Sequence, residues 1–267
     1  ADITLECGQK FDAFFANITK ELNSGKSLLQ AQYPWLNGLS GRALYETWIE
    51  GSYQTAKNYA KADPKMRVKW AGPDMSGRSS ITARQMETWA HGQEVYDLLG
   101  VQRANNDHIK NIAVLGLNTY GFCFQNRKLD VPEPRPFLKL TAPSGAVWEL
   151  GEPHEQERIE GLAEEFCQVV TQTRSISDTN LVVTGQNAAA WMEIAQCFAG
   201  APEAPPAPST RKTASLSVTV HSIVEPTSVA NRVRLERVIQ RVASRAIRHH
   251  CVATMPLAAI RAKPTPN

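Results

Sequence analysis

The sequence lacks the features that mark membrane-spanning, secreted and nucleotide-binding proteins. No run of apolar residues approaches the roughly eighteen that a membrane-spanning helix needs. The chain opens without the basic and then apolar regions of a signal peptide. It also has no glycine-rich loop of the kind that cradles phosphates. Together these absences predict a cytoplasmic protein.

Cysteine is also scarce. The five cysteines are an odd number, lie far apart and contain no Cys-x-x-Cys pair. This usage argues against a disulfide framework and against an iron–sulfur cluster. Cys123, Cys167 and Cys197 each stand among apolar neighbours, which predicts buried, reduced thiols.

Acidic residues become rare near the C-terminus. Residues 209–267 carry ten Lys or Arg against two acids, whereas residues 1–208 carry nineteen against twenty-four. The Pro-rich segment 201–208 separates the two parts and is predicted to be a linker. The basic tail at 209–267 is predicted to be either a flexible terminus or a helix that binds nucleic acid or an anionic membrane surface.

Hydrophobic spacing predicts four helices in the first half of the chain, at about 7–22, 40–61, 79–99 and 107–124. Ser40 is expected to cap the second helix, which would turn Leu44, Trp48 and Ile49 inward, and Gly100 to close the third. Helices of this length with short connections favour an up-down bundle over residues 1–125.

The pattern changes after residue 125. Short strands are predicted at 137–141, 146–150 and 181–185, and helices at 157–172 and 187–198. These elements predict a small α+β domain over residues 126–200. The expected fold class is therefore mainly α, a four-helix bundle followed by an α+β part.

Glu87 and His91 are the first candidates for chemistry. Their spacing of four residues places both on one face of the third predicted helix, within reach of a single ion. Carboxylate and imidazole suit zinc first, with nickel, iron and manganese as alternatives. The same spacing also suits a plain ion pair or hydrogen bond between the two side chains.

The helix that carries this pair has a wider sequence pattern. It runs from Met75 to Gln93 and contains the segment Arg84-Gln85-Met86-Glu87-Thr88-Trp89-Ala90-His91-Gly92-Gln93. This run resembles the metal-site helix of the DinB-like and mycothiol-dependent maleylpyruvate isomerase-like proteins. Similar motifs occur at 126–129, 140–145, 166–174 and 194–200, so the likeness covers roughly residues 40–208. The branch that it resembles most has a C-terminal half of the wyosine base formation type.

The resemblance implies a divalent metal site and, in the maleylpyruvate isomerases, a low-molecular-weight thiol that adds to an unsaturated acid. The family's third ligand is a histidine on an upstream helix, but no histidine precedes His91 in this chain. The chain is thus expected to begin after that helix. The site is then expected to hold its metal through Glu87 and His91 alone, to recruit a further ligand from elsewhere in the chain, or to be empty.

Three function classes stay open. The first is a metal- and thiol-dependent isomerase or transferase that acts on a small acidic molecule, with Arg84 and Arg174 as candidates to bind the acid. The second is a metal-binding protein without turnover. The third is a protein associated with RNA modification, for which only the basic tail offers a nucleic-acid surface. The sequence does not indicate an oligomeric state.

Overall fold

A computed structural model of the chain describes residues 9–27, 30–31, 33–36, 38–70, 72 and 74–208. Within this part the chain divides into two compact units, and the division falls between Arg84 and Gln85, inside one helix. The basic tail predicted at 209–267 lies outside the described residues.

The described helices and strands are, in chain order, α1 Gln9–Asn23, α2 Gly41–Lys61, β1 Arg67–Val68, β2 Met75–Ser76, α3 Gly77–Leu99, α4 Lys110–Asn118, α5 Tyr120–Gln125, β3 Phe137–Thr141, β4 Val147–Leu150, β5 Arg158–Leu162, α6 Ala163–Val170, β6 Val182–Thr184 and α7 Gln186–Met192. The chain is mainly helical with a smaller α+β part, as predicted. The four-helix bundle stays a prediction. In the described part, none of the helices combines the length and the apolar character that a membrane crossing requires.

In the first unit, α1 supplies two of the buried apolar side chains. Phe11 and Ile18 are buried, and Ile18 packs with Ala31. β1 and β2 form a short antiparallel pair. The ammonium group of Lys69, just after β1, lies 2.7 Å from the Asp12 carboxylate of α1, so an ion pair joins α1 to the β1–β2 segment.

The inner face predicted for α2 is only partly correct. Leu44 and Ile49 are half-buried, and Thr55 is the buried residue of this helix. Trp48, predicted to face inward, is 56% exposed, and that prediction is wrong. Its ring instead stands 6.4 Å from the ring of Tyr45, which is also exposed. A residue's place at helical spacing therefore did not decide its burial here.

Two helix ends were predicted from single residues. Ser40 stands at the N-cap of α2 with extended backbone, but its side chain makes no capping hydrogen bond. Gly100 closes α3 with a φ of 68°, and the next amide, Val101 N–H, donates to the Tyr96 carbonyl at 3.0 Å. The left-handed conformation at a helix C-terminus favours glycine, so the second prediction is confirmed.

The second unit is built around a four-stranded sheet with the order β4-β3-β5-β6. β3 pairs antiparallel with β4 and parallel with β5, and β6 pairs antiparallel with β5. The central strands carry the fully buried side chains Leu138, Leu140 and Ile159. The predicted strands at 137–141, 146–150 and 181–185 correspond to β3, β4 and β6.

β5 was missed, because the helix predicted at 157–172 begins only at Ala163. Glu157, Arg158 and Glu160 favour helix locally, but Arg158–Leu162 pairs along its whole length with β3. Gly161, at a φ of 142°, allows this path, since a Cβ there would stand 2.8 Å from the Leu181 side chain. Tertiary pairing thus overrides local propensity at this strand.

One hydrophobic core fills the second unit. It takes side chains from the second half of α3, from α4 to α7 and from the sheet. The predicted boundary at residue 125 falls inside this core. The helix predicted at 107–124 is interrupted at Thr119, whose hydroxyl donates to the carbonyls of Leu115 and Gly116.

The Pro-rich segment predicted as a linker begins in contact with the second unit. The Glu203 carbonyl accepts hydrogen bonds from Arg127 Nη2 at 2.5 Å and from Gln172 Nε2 at 3.2 Å. The Glu203 amide donates to Gln196 Oε1 at 3.1 Å. Residues up to 203 therefore belong structurally to the unit that precedes them.

Candidate functional site

The candidate site lies on the second half of α3. This part of the helix buries Met86, Trp89 and Ala90 in the core of the second unit. Glu87 and His91 flank that buried face, one turn apart. The helix therefore presents both side chains beside the core, and neither stands on the fully solvated side.

The two side chains contact each other. Glu87 Oε2 lies 3.3 Å from His91 Nε2, and the side chains are 26% and 19% exposed. The other carboxylate oxygen, Glu87 Oε1, is buried and has no hydrogen-bond partner among the described residues. A buried acceptor without a partner is costly and calls for an explanation such as a bound ion. A carboxylate oxygen beside an imidazole nitrogen suits a divalent transition metal.

A third protein ligand is not found in the described residues. They contain no group of three His, Cys, Asp or Glu side chains within reach of one ion. Outside α3, the other two described histidines have different roles. His154 Nδ1 accepts hydrogen bonds from the Gln156 and Glu157 amides, and His108 is exposed. Within the described residues, Glu87 and His91 therefore stay the predicted ligand pair.

Arg103 holds the site helix in place, a role that the sequence did not reveal. Its guanidinium carbon lies 5.0 Å from the centre of the Trp89 ring and 5.3 Å from that of Tyr96. Its Nη1 donates to the Trp89 carbonyl at 2.7 Å. The Trp89 indole N–H donates to Asn105 Oδ1 at 2.8 Å. The loop after α3 therefore folds back and fixes the turn between Glu87 and His91. A single arginine in a polar loop carries no recognisable sequence signal for this contact.

Arg174, predicted to bind a substrate carboxylate, holds a carboxylate of its own chain. Two guanidinium nitrogens of Arg174 lie 2.5 Å from the two carboxylate oxygens of Asp97, near the end of α3. The side chains are 19% and 10% exposed, and Gln93 Nε2 also donates to Asp97 at 3.0 Å. Arg174 could bind a substrate carboxylate only if its ion pair with Asp97 were broken.

Arg84, the other candidate for binding an acid, is exposed on α3 one turn before Glu87. It belongs to the first unit, whereas Glu87 belongs to the second. The role predicted for Arg84 stays a prediction.

Cys123, Cys167 and Cys197 are free and buried, as predicted. Burial raises the pKa of all three thiols, and for Cys197 the Cys167 thiol and the Glu87 carboxylate raise it further. These thiols stay protonated at neutral pH. They are therefore unsuited to act as nucleophiles or as metal ligands without first losing a proton against this shift.

Comparison with known proteins supports the family resemblance for the N-terminal part. Residues 10–96 match the family model for the mycothiol maleylpyruvate isomerase N-terminal domain. The matched residues include Glu87 and His91 and make up about a third of the chain. The match supports a DinB-like, maleylpyruvate isomerase-like assignment for these residues. No solved structure matches the chain.

Two curated relatives carry the name uncharacterized protein. They come from Mycobacterium tuberculosis, one from strain CDC 1551 / Oshkosh and one from strain ATCC 25618 / H37Rv. Each is 44% identical over 137 residues, which is 51% of this chain and 53% of the relative. The chain thus spans about half the length of the curated relatives it matches.

Proposed function

We propose that this protein binds one divalent metal ion through Glu87 and His91, with zinc as the first choice and nickel, iron or manganese as alternatives. The observation that carries the proposal is Glu87 Oε1, a buried acceptor with no hydrogen-bond partner among the described residues. It lies on the residue whose other oxygen contacts His91. The match of residues 10–96 to a mycothiol maleylpyruvate isomerase domain supports the same assignment.

The reaction that we propose is a thiol-dependent isomerisation or transfer on a small acidic molecule. When bound, the ion would polarise a substrate oxygen or activate a thiol or water. The thiol has to come from outside the described residues, because Cys123, Cys167 and Cys197 are buried and stay protonated. A soluble low-molecular-weight thiol meets this need.

Arg84 stays the first candidate for binding the substrate carboxylate, on the sequence pattern alone. Arg174 is the second candidate and acts only if its pairing with Asp97 opens. The placing of the C-terminal half in the wyosine base formation branch rests on the sequence resemblance alone, and a role on RNA rests on that resemblance and on the basic tail at 209–267.

A metal-binding protein without turnover is the second candidate function. One observation favours it, since the described residues contain no third ligand to fix the geometry of the ion. An ion held by two protein ligands is oriented less firmly, and poorly positioned reactants lose much of the advantage of catalysis. Both candidate functions share the same metal site.

Elemental analysis of the full chain, purified without chelator, tests the shared site. We expect about one divalent ion per chain, and an increase in melting temperature when zinc or nickel is added to stripped protein. Glu87→Ala and His91→Ala should each lower the metal content and remove the thermal shift. Matched controls are Glu149→Ala and His108→Ala, because both side chains are exposed in the second unit. Metal content that is the same in all four variants would refute the site.

Turnover then separates the two candidates. Maleylpyruvate and a low-molecular-weight thiol are incubated with the metal-loaded protein, and formation of the isomer is followed. Activity that His91→Ala abolishes supports the enzyme. A loaded protein without activity supports binding without turnover.

A further inference from the structure

We propose that a second pocket, in the second unit, binds a small zwitterion that carries both an ammonium and a carboxylate group, such as an α-amino acid with an apolar side chain. The pocket has a volume of about 450 Å³ and lies where the break between α4 and α5 faces two loops. This volume is within the usual range for small-molecule sites. The proposal is independent of the metal site.

The floor of the pocket is apolar. It is formed by Leu117, Tyr120, Gly121 and Val131. The Tyr120 hydroxyl donates to the Pro132 carbonyl at 2.8 Å, and burial together with Glu133 and Glu157 raises the pKa of Tyr120 to about 12. Tyr120 therefore stays neutral at physiological pH. Gly121 adds no side chain to this floor, and a Cβ there would make an ordinary contact with Val131 at 3.9 Å.

The rim carries charges of both signs. Arg135, Glu133 and Glu152 line the opening. Glu133 Oε2 accepts a hydrogen bond from the Arg135 amide at 3.2 Å. None of the three side chains belongs to an ion pair within the part of the chain that the structure describes. A guanidinium and two carboxylates thus lie around one opening without neutralising one another.

His154 adds a directed donor. Its Nδ1 accepts hydrogen bonds from the Gln156 amide at 3.2 Å and the Glu157 amide at 2.9 Å. A nitrogen that accepts two such bonds carries no proton, so the proton of the neutral ring is on Nε2. His154 lines the pocket, and the N–H at Nε2 is the donor that its ring has left.

The charges select the class of ligand. A ligand with only a negative charge would be repelled by Glu133 and Glu152, and a ligand with only a positive charge would be repelled by Arg135. An apolar molecule would cover three charged groups and leave them without partners, which is unfavourable. A zwitterion satisfies both signs, because its carboxylate pairs with Arg135 and the His154 N–H while its ammonium pairs with Glu152, since Glu133 already accepts the Arg135 amide. An apolar side chain then rests on the floor.

Titration of the full chain with L-leucine, followed by NMR, tests the proposal. N-acetyl-L-leucine lacks the ammonium group, L-leucinamide lacks the carboxylate, and glucose is a neutral polyol of similar size. We expect saturable binding of L-leucine and binding about tenfold weaker or worse for each of the other three, as loss of a charge-assisted hydrogen bond implies. No saturation by L-leucine, or tighter binding of any of the other three, would overturn the proposal.

Variants locate the site. Arg135→Gln and Glu152→Gln, both at exposed positions, should weaken L-leucine binding by about tenfold, whereas Lys139→Gln, an exposed cation on β3, should leave it unchanged. Gly121→Leu should abolish binding by filling the floor. If Gly121→Leu does not fold, the two exposed variants decide alone. Equal affinity of Arg135→Gln, Glu152→Gln and Lys139→Gln would refute this site.

Discussion

The guanidinium carbon of Arg103 lies 5.0 Å from the centre of the Trp89 ring, and Nη1 of the same side chain donates to the Trp89 carbonyl at 2.7 Å. Trp89 stands between Glu87 and His91 on α3. One arginine therefore fixes both the side chain and the backbone of the turn that carries the candidate metal ligands.

Replacing Arg103 should lower both stability and metal affinity. Arg103→Met loses a charged hydrogen bond and two cation–π contacts, which together stabilise by about 2–3 kcal/mol. Arg103→Lys keeps the charge but not the flat guanidinium, and should recover part of this loss. Urea unfolding gives the stability, and zinc titration gives the affinity. Lys128→Met, which removes an exposed cation, is the control and should change neither quantity.

The ion pair between Asp97 and Arg174 should be strongly coupled. Both side chains are mostly buried, so removing one leaves the other charge without its partner. Asp97→Asn and Arg174→Gln should each cost about 2–4 kcal/mol. The double variant should cost much less than the sum of the two. A double-mutant cycle by urea unfolding measures this coupling, and additive effects would contradict it.

Two glycines of the second unit should respond to alanine in opposite ways. A Cβ on Gly92 would stand 3.5 Å from Arg103 Nη1, an ordinary contact, and alanine favours the helix by about 0.5–1 kcal/mol. A Cβ on Gly116 would stand 3.0 Å from Val170 and 3.1 Å from Phe166, inside the core. Gly92→Ala should therefore raise the melting temperature. Gly116→Ala should lower it, because overpacking costs about 1–3 kcal/mol. If both variants changed the melting temperature in the same direction and by the same amount, the packing around one of the two glycines would not be as the distances above indicate.

Stability should fall in alkaline solution. Burial raises the pKa of Cys123, Cys167 and Cys197 above 9.0, and that of Tyr120 from 10.0 to about 12. In the unfolded chain these groups lose their protons first. Below about pH 9 these groups should therefore give the free energy of unfolding no dependence on pH. Above about pH 9 the free energy of unfolding should fall, by about 1.4 kcal/mol per pH unit for each group that is ionised only in the unfolded state.

Urea unfolding at pH 8, 9, 10 and 11 measures this loss. Tyr120→Phe should reduce the slope above pH 10 only, since phenylalanine does not titrate. A free energy of unfolding that stays constant up to pH 11 would contradict the burial of these groups.

Much of the fold was predictable from the sequence. α1, α2, α3 and the strands β3, β4 and β6 follow from periodicity and from glycine and proline positions. β5 did not, because its strand form depends on pairing with β3, and Glu157, Arg158 and Glu160 locally favour helix. The prediction that Trp48 is buried was wrong for a similar reason. Helical spacing shows which residues share a face of the helix, but it does not show whether another element covers that face.

The candidate site was predictable only in part. Glu87 and His91 stand four residues apart in one helix, so spacing alone places them together. The partners of α3 come from elsewhere in the chain. Arg103 lies in the loop after α3 and contacts Trp89. Arg174 follows α6 in the chain and pairs with Asp97 near the end of α3. Such contacts depend on the tertiary fold and leave no local pattern.

The hydrogen bonds between the Glu203 backbone and the side chains of Arg127, Gln172 and Gln196 limit how far residue 208 can lie from the second unit. If the whole Pro-rich segment were free, its eight residues at about 3.1 Å each would give a tether of roughly 25 Å. Because the chain is held as far as residue 203, at most five residues remain, and the tether shortens to about 15 Å. Residue 208 is thus confined to a smaller volume beside the second unit.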